Sequence, residues 1–212
     1  MNNNYDLIAK IYDPLSRLVF RKSQLKAQTD QLKYISSGNN LLIAGGGTGW
    51  ILEEISKIYP AGLQITYLEI SAEMIRMARE RDTGENQVTY IHAGAADFQA
   101  GRKYDVILTG FLFDNFQSAE AMQVFTQFDK MIVPEGYWLY TDFQSDISKQ
   151  TWWQKILLKT MYVFFNLVSG VKAKKVPDLS SDFQCAGYQI VNSKVYYNGF
   201  IQAVSFRKTP KS

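Results

Sequence analysis

Gly45-Gly46-Gly47-Thr48-Gly49 sets glycines at alternate positions 45, 47 and 49, directly after the apolar run Leu41-Leu42-Ile43-Ala44. Glycine reaches positive φ without steric penalty, and a ligand can lie on its bare backbone beside the N-terminus of a following helix. Twenty residues beyond Gly49, Glu69 ends a second apolar run, where a carboxylate can accept hydrogen bonds from both hydroxyls of a ribose. Loop and acid together point to a nucleoside ligand, whereas the loop alone would be only a tight turn. The spacing also excludes ligands. Trp50 stands sixth from Gly45, where a dinucleotide fingerprint needs glycine or alanine, and no Lys-Ser/Thr pair follows the glycines to make a phosphate-binding loop of the P-loop type.

Other chemistry is narrowed by scarcity. His92 and Cys185 are the only histidine and cysteine. A two-histidine metal motif, a multi-cysteine zinc cluster and an internal disulfide framework are therefore excluded, and no metal site is expected. Ser-His-Asp or Cys-His catalysis would have to run through His92, which ends a third strand and reads as a structural or cofactor-edge residue. Asp114 and Asp142 follow the fourth and fifth strands, at the carboxyl edge where open α/β sheets bind ligands, and each is either a general base or a helix cap. Phe111, Phe113, Phe116 and Phe143 gather at the same edge. They either line an apolar pocket or pack a helix on the sheet.

The elements that position these residues follow from periodicity. Leu41–Ala44, Leu63–Ile70, Gln87–His92, Tyr104–Thr109 and Tyr137–Phe143 are short apolar runs separated by helical-period segments, the order of a parallel sheet with crossover helices. Trp50–Tyr59 reads as a helix stopped by Pro60. Ser71 caps the next one, with Glu73 in its first turn and Met74, Ile75 and Ala78 on one face. Ala119–Ile132 is a helix closed by Pro134-Glu135-Gly136. Gln189–Tyr197 and Phe200–Lys208 alternate around Asn198-Gly199, a hairpin turn. The first 35 residues look helical, with a break at Asp13-Pro14.

Between these lies Trp152–Val168, the most apolar stretch, too short and too charged with Lys155 and Lys159 for a membrane span. As a helix apolar around most of its circumference it is either core, a lid over a hydrophobic substrate, or an interfacial anchor aided by Lys155, Lys159, Lys172, Lys174 and Lys175. The formal net charge of +3 divides unevenly. Residues 1–150 carry 14 basic and 18 acidic side chains, and residues 151–212 carry 9 and 2. The basic third could face an anionic surface such as lipid headgroups or nucleic acid, or be scattered solubilising lysines. The opening Met1-Asn2-Asn3-Asn4-Tyr5 has no basic n-region or apolar h-region, so a cytoplasmic location is expected.

The sequence resembles the class I S-adenosylmethionine-dependent methyltransferases. The resemblance is carried by Leu41 to Gly49, Tyr67-Leu68-Glu69-Ile70-Ser71 with Met74, Gly94-Ala95-Ala96-Asp97-Phe98, Tyr104-Asp105-Val106-Ile107 and Val133-Pro134-Glu135-Gly136, in order over residues 38–145. It implies that the loop of Gly45, Gly47 and Gly49 packs on the methionine portion of the cofactor and that Glu69 holds the ribose. It further implies that Asp97 reaches the adenine amino group, with Ile70, Met74, the backbone of Ala96 and the strand end Thr109-Gly110 beside them. Tyr5-Asp6-Leu7-Ile8-Ala9-Lys10-Ile11-Tyr12-Asp13 is similar to the opening of methyltransferases of the ubiquinone and menaquinone pathway type, which implies a segment covering the cofactor with Tyr5 and Tyr12 as contacts. One position departs from the pattern. The family carries an acid two residues before the first loop glycine, orienting the loop and the methionine ammonium, and here Ile43 stands there.

The expectation is thus an α/β fold over residues 1–212: a Rossmann-like three-layer sandwich with a seven-stranded, mostly parallel sheet and an antiparallel C-terminal hairpin. Its parts are an N-terminal helical cap (1–37), a cofactor-binding core (38–145), an apolar helix and Lys-rich linker (146–182) and the hairpin (183–212). The expected reaction moves a methyl group from S-adenosylmethionine to a small apolar or aromatic acceptor, a quinol, phenol or lipid-like molecule, bound by Phe111, Phe113, Phe143 and Trp152. Partners are that acceptor and an anionic membrane met peripherally through 152–175, with no nucleic acid, since Thr109-Gly110-Phe111-Leu112 stands where an Asn-Pro-Pro-Tyr-like signature would be. The alternatives are an NAD(P)-dependent oxidoreductase and a non-catalytic S-adenosylmethionine binder.

Overall fold

The computed structural model describes residues 19–20, 22–146, 151–169 and 175–210, the side chains of 162–169 excepted. In chain order they form α1 (Ser23–Thr29), β1 (Asn40–Ala44), α2 (Trp50–Ile58), β2 (Ala61–Glu69), α3 (Ala72–Ala78), β3 (Glu85–His92), β4 (Tyr104–Gly110), α4 (Ser118–Met131), β5 (Ile132–Phe143), α5 (Trp152–Ser169), α6 (Ser180–Cys185), β6 (Tyr188–Tyr196) and β7 (Ile201–Lys208).

All the strands join one sheet in the order β3-β2-β1-β4-β5-β7-β6. The first five pair in parallel, β7 runs antiparallel to β5, and β6 antiparallel to β7. The expected Rossmann-like seven-stranded sandwich is therefore present. The alternation within β1 shows why it has three layers. Leu42 and Ala44 face one apolar cluster with Phe125 and Phe128 of α4 and Phe183 of α6, while Leu41 and Ile43 face the other with Ile51, Leu52 and Ile55 of α2. A strand buried on both faces has no polar side to show, which is why it reads as an uninterrupted apolar run.

The chain leaves β1 outward through β2 and β3, then returns to place β4 on the opposite side of β1. That reversal opens a crevice at the carboxyl ends of β1 and β4, the place where open α/β sheets bind ligands. Two local features fix its rim. Ser71 Oγ accepts from Met74 N at 3.1 Å and starts α3. Gly49, at φ 83°, starts α2, and a Cβ there would lie 2.7 Å from the backbone of Ala78 in α3. Gly49, rather than the Trp50 position, is thus the glycine that permits close packing.

Differences from expectation have physical causes. β5 begins at Ile132 rather than Tyr137, because pairing on β4 resumes on both sides of a bulge: Tyr104 faces Ile132, then Val106 faces Tyr137. Pro134-Glu135-Gly136 forms that bulge, with Glu135 at φ 65°. The hairpin closes through Tyr197, Asn198 and Gly199, all left-handed, so its strands end one residue sooner on each side than read from alternation. Asp13-Pro14 and the rest of 1–18 lie outside the described residues.

α5 is neither fully buried nor free. Gln154 is buried, its Nε2 donating to Asn198 O at 3.0 Å, and Trp153 packs on Tyr197 and Phe200 of the hairpin turn. The opposite face shows Trp152 at 75 % and Ile156 at 57 % exposure, with Lys155 and Lys159 beside them. Among the described residues no helix is long and apolar enough to cross a membrane.

Candidate functional site

The glycine loop is clamped from two sides. Beneath it Tyr67, wholly buried in β2, donates its hydroxyl to Gly47 O at 2.8 Å, and a Cβ on Gly46 would strike its ring at 2.2 Å. Beside it Gly47 N donates to Glu69 Oε2 at 2.9 Å. Gly45 and Gly47 take φ values of 68° and 63°, and a Cβ on Gly45 would meet Leu112 at 2.9 Å. Glycine is required here by conformation at two positions and by space at a third. Tyr67 and Glu69 are two residues apart on one strand and so share a face. That spacing was the available signal for Tyr67, which went unread as a site residue.

Glu69 is held ready for a ligand. Its Oε1 accepts from Ser71 N at 2.9 Å, and only 6 % of the residue is exposed. Burial pushes its carboxyl pKa up, opposed by the backbone N–H groups of Ser71, Gly47 and Ile70. An ionised carboxylate offers about four acceptor positions, so with these three donors in place one remains for a ribose hydroxyl. His92 pairs with Glu69 across β2 and β3, and its Nε2 lies 2.9 Å from Ile70 O. It does not line the cavity, and it meets the Ile70 backbone just before α3.

A cavity of about 1510 Å³ occupies the crevice. Gly45, Gly47, Glu69, Ile70, Met74, Ala96, Asp97 and Gly110 line it. Two expected contacts do not. Gly49 is turned to its helix-packing role, and Thr109 is buried with Oγ1 accepting from Trp138 Nε1 at 3.0 Å. Tyr12, with Tyr5, lies outside the described residues.

On the acceptor side Phe111 and Phe143 line the cavity with ring centroids 5.0 Å apart. Phe111 has a left-handed backbone, φ 54°, which ends β4 abruptly. Phe113 does not reach the cavity: it is wholly buried against Trp138 and Tyr140, because the 3₁₀ turn Phe113–Asn115 rotates it into the core. Trp152 does not reach it either, since it sits on the outward face of α5. The same helix supplies Leu157, Thr160 and Met161 instead, and Phe116 adds a third ring. Helical spacing of 157 and 161 could have indicated that face.

Asp142 is fully buried and accepts from Phe143 N, Phe113 N and Asp114 N at 2.8, 3.1 and 3.3 Å. From the end of β5 it holds the first backbone N–H groups of the turn Phe113–Asn115. Burial carries its carboxyl up to about 7 against those three donors. Asp114 lines the cavity with Oδ1 accepting from Asn115 Nδ2 at 2.8 Å, and burial together with the Asp142 charge pushes its pKa well up. Like charges this close, away from water, disfavour double ionisation.

The seven-stranded sheet, the glycine loop, the acid at the end of β2 and the cavity across the switch point together form the arrangement of a Rossmann-like methyltransferase fold. Residues 41–136, a little under half of the chain, match the family model described as a methyltransferase domain. A malonyl-[acyl-carrier protein] O-methyltransferase 2 of Ilyobacter polytropus is 25% identical over 150 residues, covering 69% of this chain and 54% of the other. The chain thus spans about half the length of the curated relative it matches. The N-methyltransferase NodS of Bradyrhizobium japonicum, solved with S-adenosylhomocysteine, superposes at TM-score 0.64 with 11% identity, covering 88% of this chain and 84% of that one. A 1,6-didemethyltoxoflavin-N1-methyltransferase of Burkholderia thailandensis superposes at 0.66 with 13% identity, over 97% and 86%. At these identities the likeness concerns the fold. S-adenosylmethionine is the cofactor of such domains, and the residues here fit it: three successive glycines at 45–47, a buried carboxylate with an acceptor position to spare, and an open cavity beyond.

Proposed function

We propose that the protein transfers the methyl group of S-adenosylmethionine to a small apolar or aromatic acceptor, a quinol, phenol or lipid-like molecule. One observation carries this reading: the cavity of about 1510 Å³ exceeds the roughly 300–1,000 Å³ of an ordinary ligand pocket and changes character along its length. Its β1–β2 end is polar and built of backbone, Glu69 and Asp97. Its other end is lined by Phe111, Phe116, Phe143, Leu157 and Met161. The cofactor supplies an electrophilic methyl on a sulfonium, displaced in line by the acceptor.

The chain's own part is alignment and exclusion of water. Holding two reactants in line contributes about 7–11 kcal/mol to lowering such a barrier. Asp114, at the border of the two ends, is placed to receive the proton of a hydroxyl acceptor. We also read the outward face of α5, with Trp152, Lys155, Ile156 and Lys159, as the side that meets an anionic bilayer carrying a lipid-like acceptor.

Calorimetry with S-adenosylmethionine tests the site. Glu69→Ala is expected to abolish measurable binding, and unchanged affinity would remove Glu69 from it. Incubation with quinols and phenols, reading S-adenosylhomocysteine formed, tests the reaction; stabilisation by NAD instead in a thermal melt would favour the oxidoreductase.

A further inference from the structure

Gln28 of α1 is 7 % exposed, and its carboxamide has no hydrogen-bond partner among the described residues. It lines the cavity and lies flat on Gly110 at the end of β4, where a Cβ would come within 2.3 Å of its Oε1. A carboxamide that lines a ligand cavity without a protein partner is available to bond what occupies that cavity.

The sheet register says which part of the ligand arrives there. Ala44 pairs with Leu68 on one side and with Thr109 on the other, so Glu69, Gly45 and Gly110 stand side by side at the ends of β2, β1 and β4. Adjacent strands are about 4.8 Å apart, which puts Gly110 about 10 Å from Glu69 across the glycine loop. A ligand with its ribose on Glu69 and its base toward Ile70, Met74 and Asp97 would run along the glycine loop and bring its amino-acid end toward Gly110. The wall that it meets has no carboxylate from β1: Ile43, wholly buried, lines the cavity there. Lys22, exposed at the rim on the same side, offers a cation to a carboxylate. An ammonium, with three donors, needs an acceptor.

We propose that Gln28 accepts a hydrogen bond from the ammonium of the cofactor's methionine portion, in place of the acid that Ile43 replaces. This rests on the assignment of the cleft to S-adenosylmethionine. Calorimetry with two probes separates them: S-adenosylhomocysteine, and 5′-methylthioadenosine, which keeps the nucleoside and thioether but lacks the amino-acid end.

Gln28→Met, close in length and able to cover Gly110, is expected to weaken S-adenosylhomocysteine about tenfold, the size of one hydrogen bond to a charged group. It should leave 5′-methylthioadenosine within about twofold, the scatter expected for a site not in contact. Gln28→Glu is expected to bind S-adenosylhomocysteine at least as tightly as the wild type. Equal weakening of both probes by Gln28→Met, no weakening of either, or loss of binding in Gln28→Glu would each overturn the proposal. Failure of the unaltered protein to bind either probe, or indifference of both to Glu69→Ala, would overturn the cleft assignment itself.

Discussion

Single residues decide this site by how they bury polarity. Glu69 and Asp142 are both carboxylates held by backbone N–H groups, yet Glu69 faces a ligand cavity and Asp142 is sealed against the turn after β4. The unfolded value of an aspartate is about 4, and the folded values of Asp114 and Asp142 are raised. Raised folded values mean that the native state binds protons more tightly, so their contribution is fully present below about pH 4 and is lost as pH rises toward about 7; Glu69 acts in the same direction. Unfolding free energy is therefore expected to fall across that window by a few kcal/mol, on the order set by such shifts. Asp114→Asn, which keeps the shape and cannot ionise, should flatten the fall in urea titrations at pH 4, 5.5 and 7. An identical slope would show that the pair is not coupled to stability. The glycines and Glu69 were legible in the sequence because their chemistry admits few other residue types. Gln28 and Tyr67 were not, since a polar residue on a short helix and an aromatic in a strand are ordinary until the fold sets them against Gly110 and Gly47.

At the scale of elements, most of the sheet was legible because β1 to β5 are apolar runs separated by helical segments. What was not legible is irregularity: the bulge at Pro134-Glu135-Gly136, the 3₁₀ turn that buries Phe113, and the two-sided character of α5, whose composition alone does not say which side docks. The contact of α2 with α3 depends on Gly49. A side chain there must adopt φ 83° and overlap the Ala78 backbone. Gly49→Ala is expected to destabilise the protein by about 2 kcal/mol or more, the left-handed penalty plus the displacement of α3. Because α2 begins directly after the loop, cofactor affinity should fall with it. A thermal midpoint within a degree of the wild type would refute the packing role, and Gly47→Ala, with nothing within 4 Å of the added Cβ, provides the comparison in which only the backbone is strained.

Across the whole molecule the charge division gains a location. The acidic part contains the glycine loop and Glu69, and the basic part contains α5 and the hairpin on which α5 docks. If that end meets anionic lipid, sedimentation with phosphatidylserine vesicles should fall with rising salt and should drop when Trp152→Ala and Ile156→Ser are combined, with catalysis on a soluble acceptor retained. Unaltered sedimentation in the double variant would dismiss the contact. The anchoring of Glu69 has one more consequence. Every fixed point of the cleft, the tethered carboxylate, the glycine backbone and the wall at Gly110, addresses portions that the methyl donor shares with the spent S-adenosylhomocysteine. If the cleft holds S-adenosylmethionine as proposed, it has little means to tell fresh donor from exhausted product, and turnover would follow the ratio of the two rather than the abundance of either.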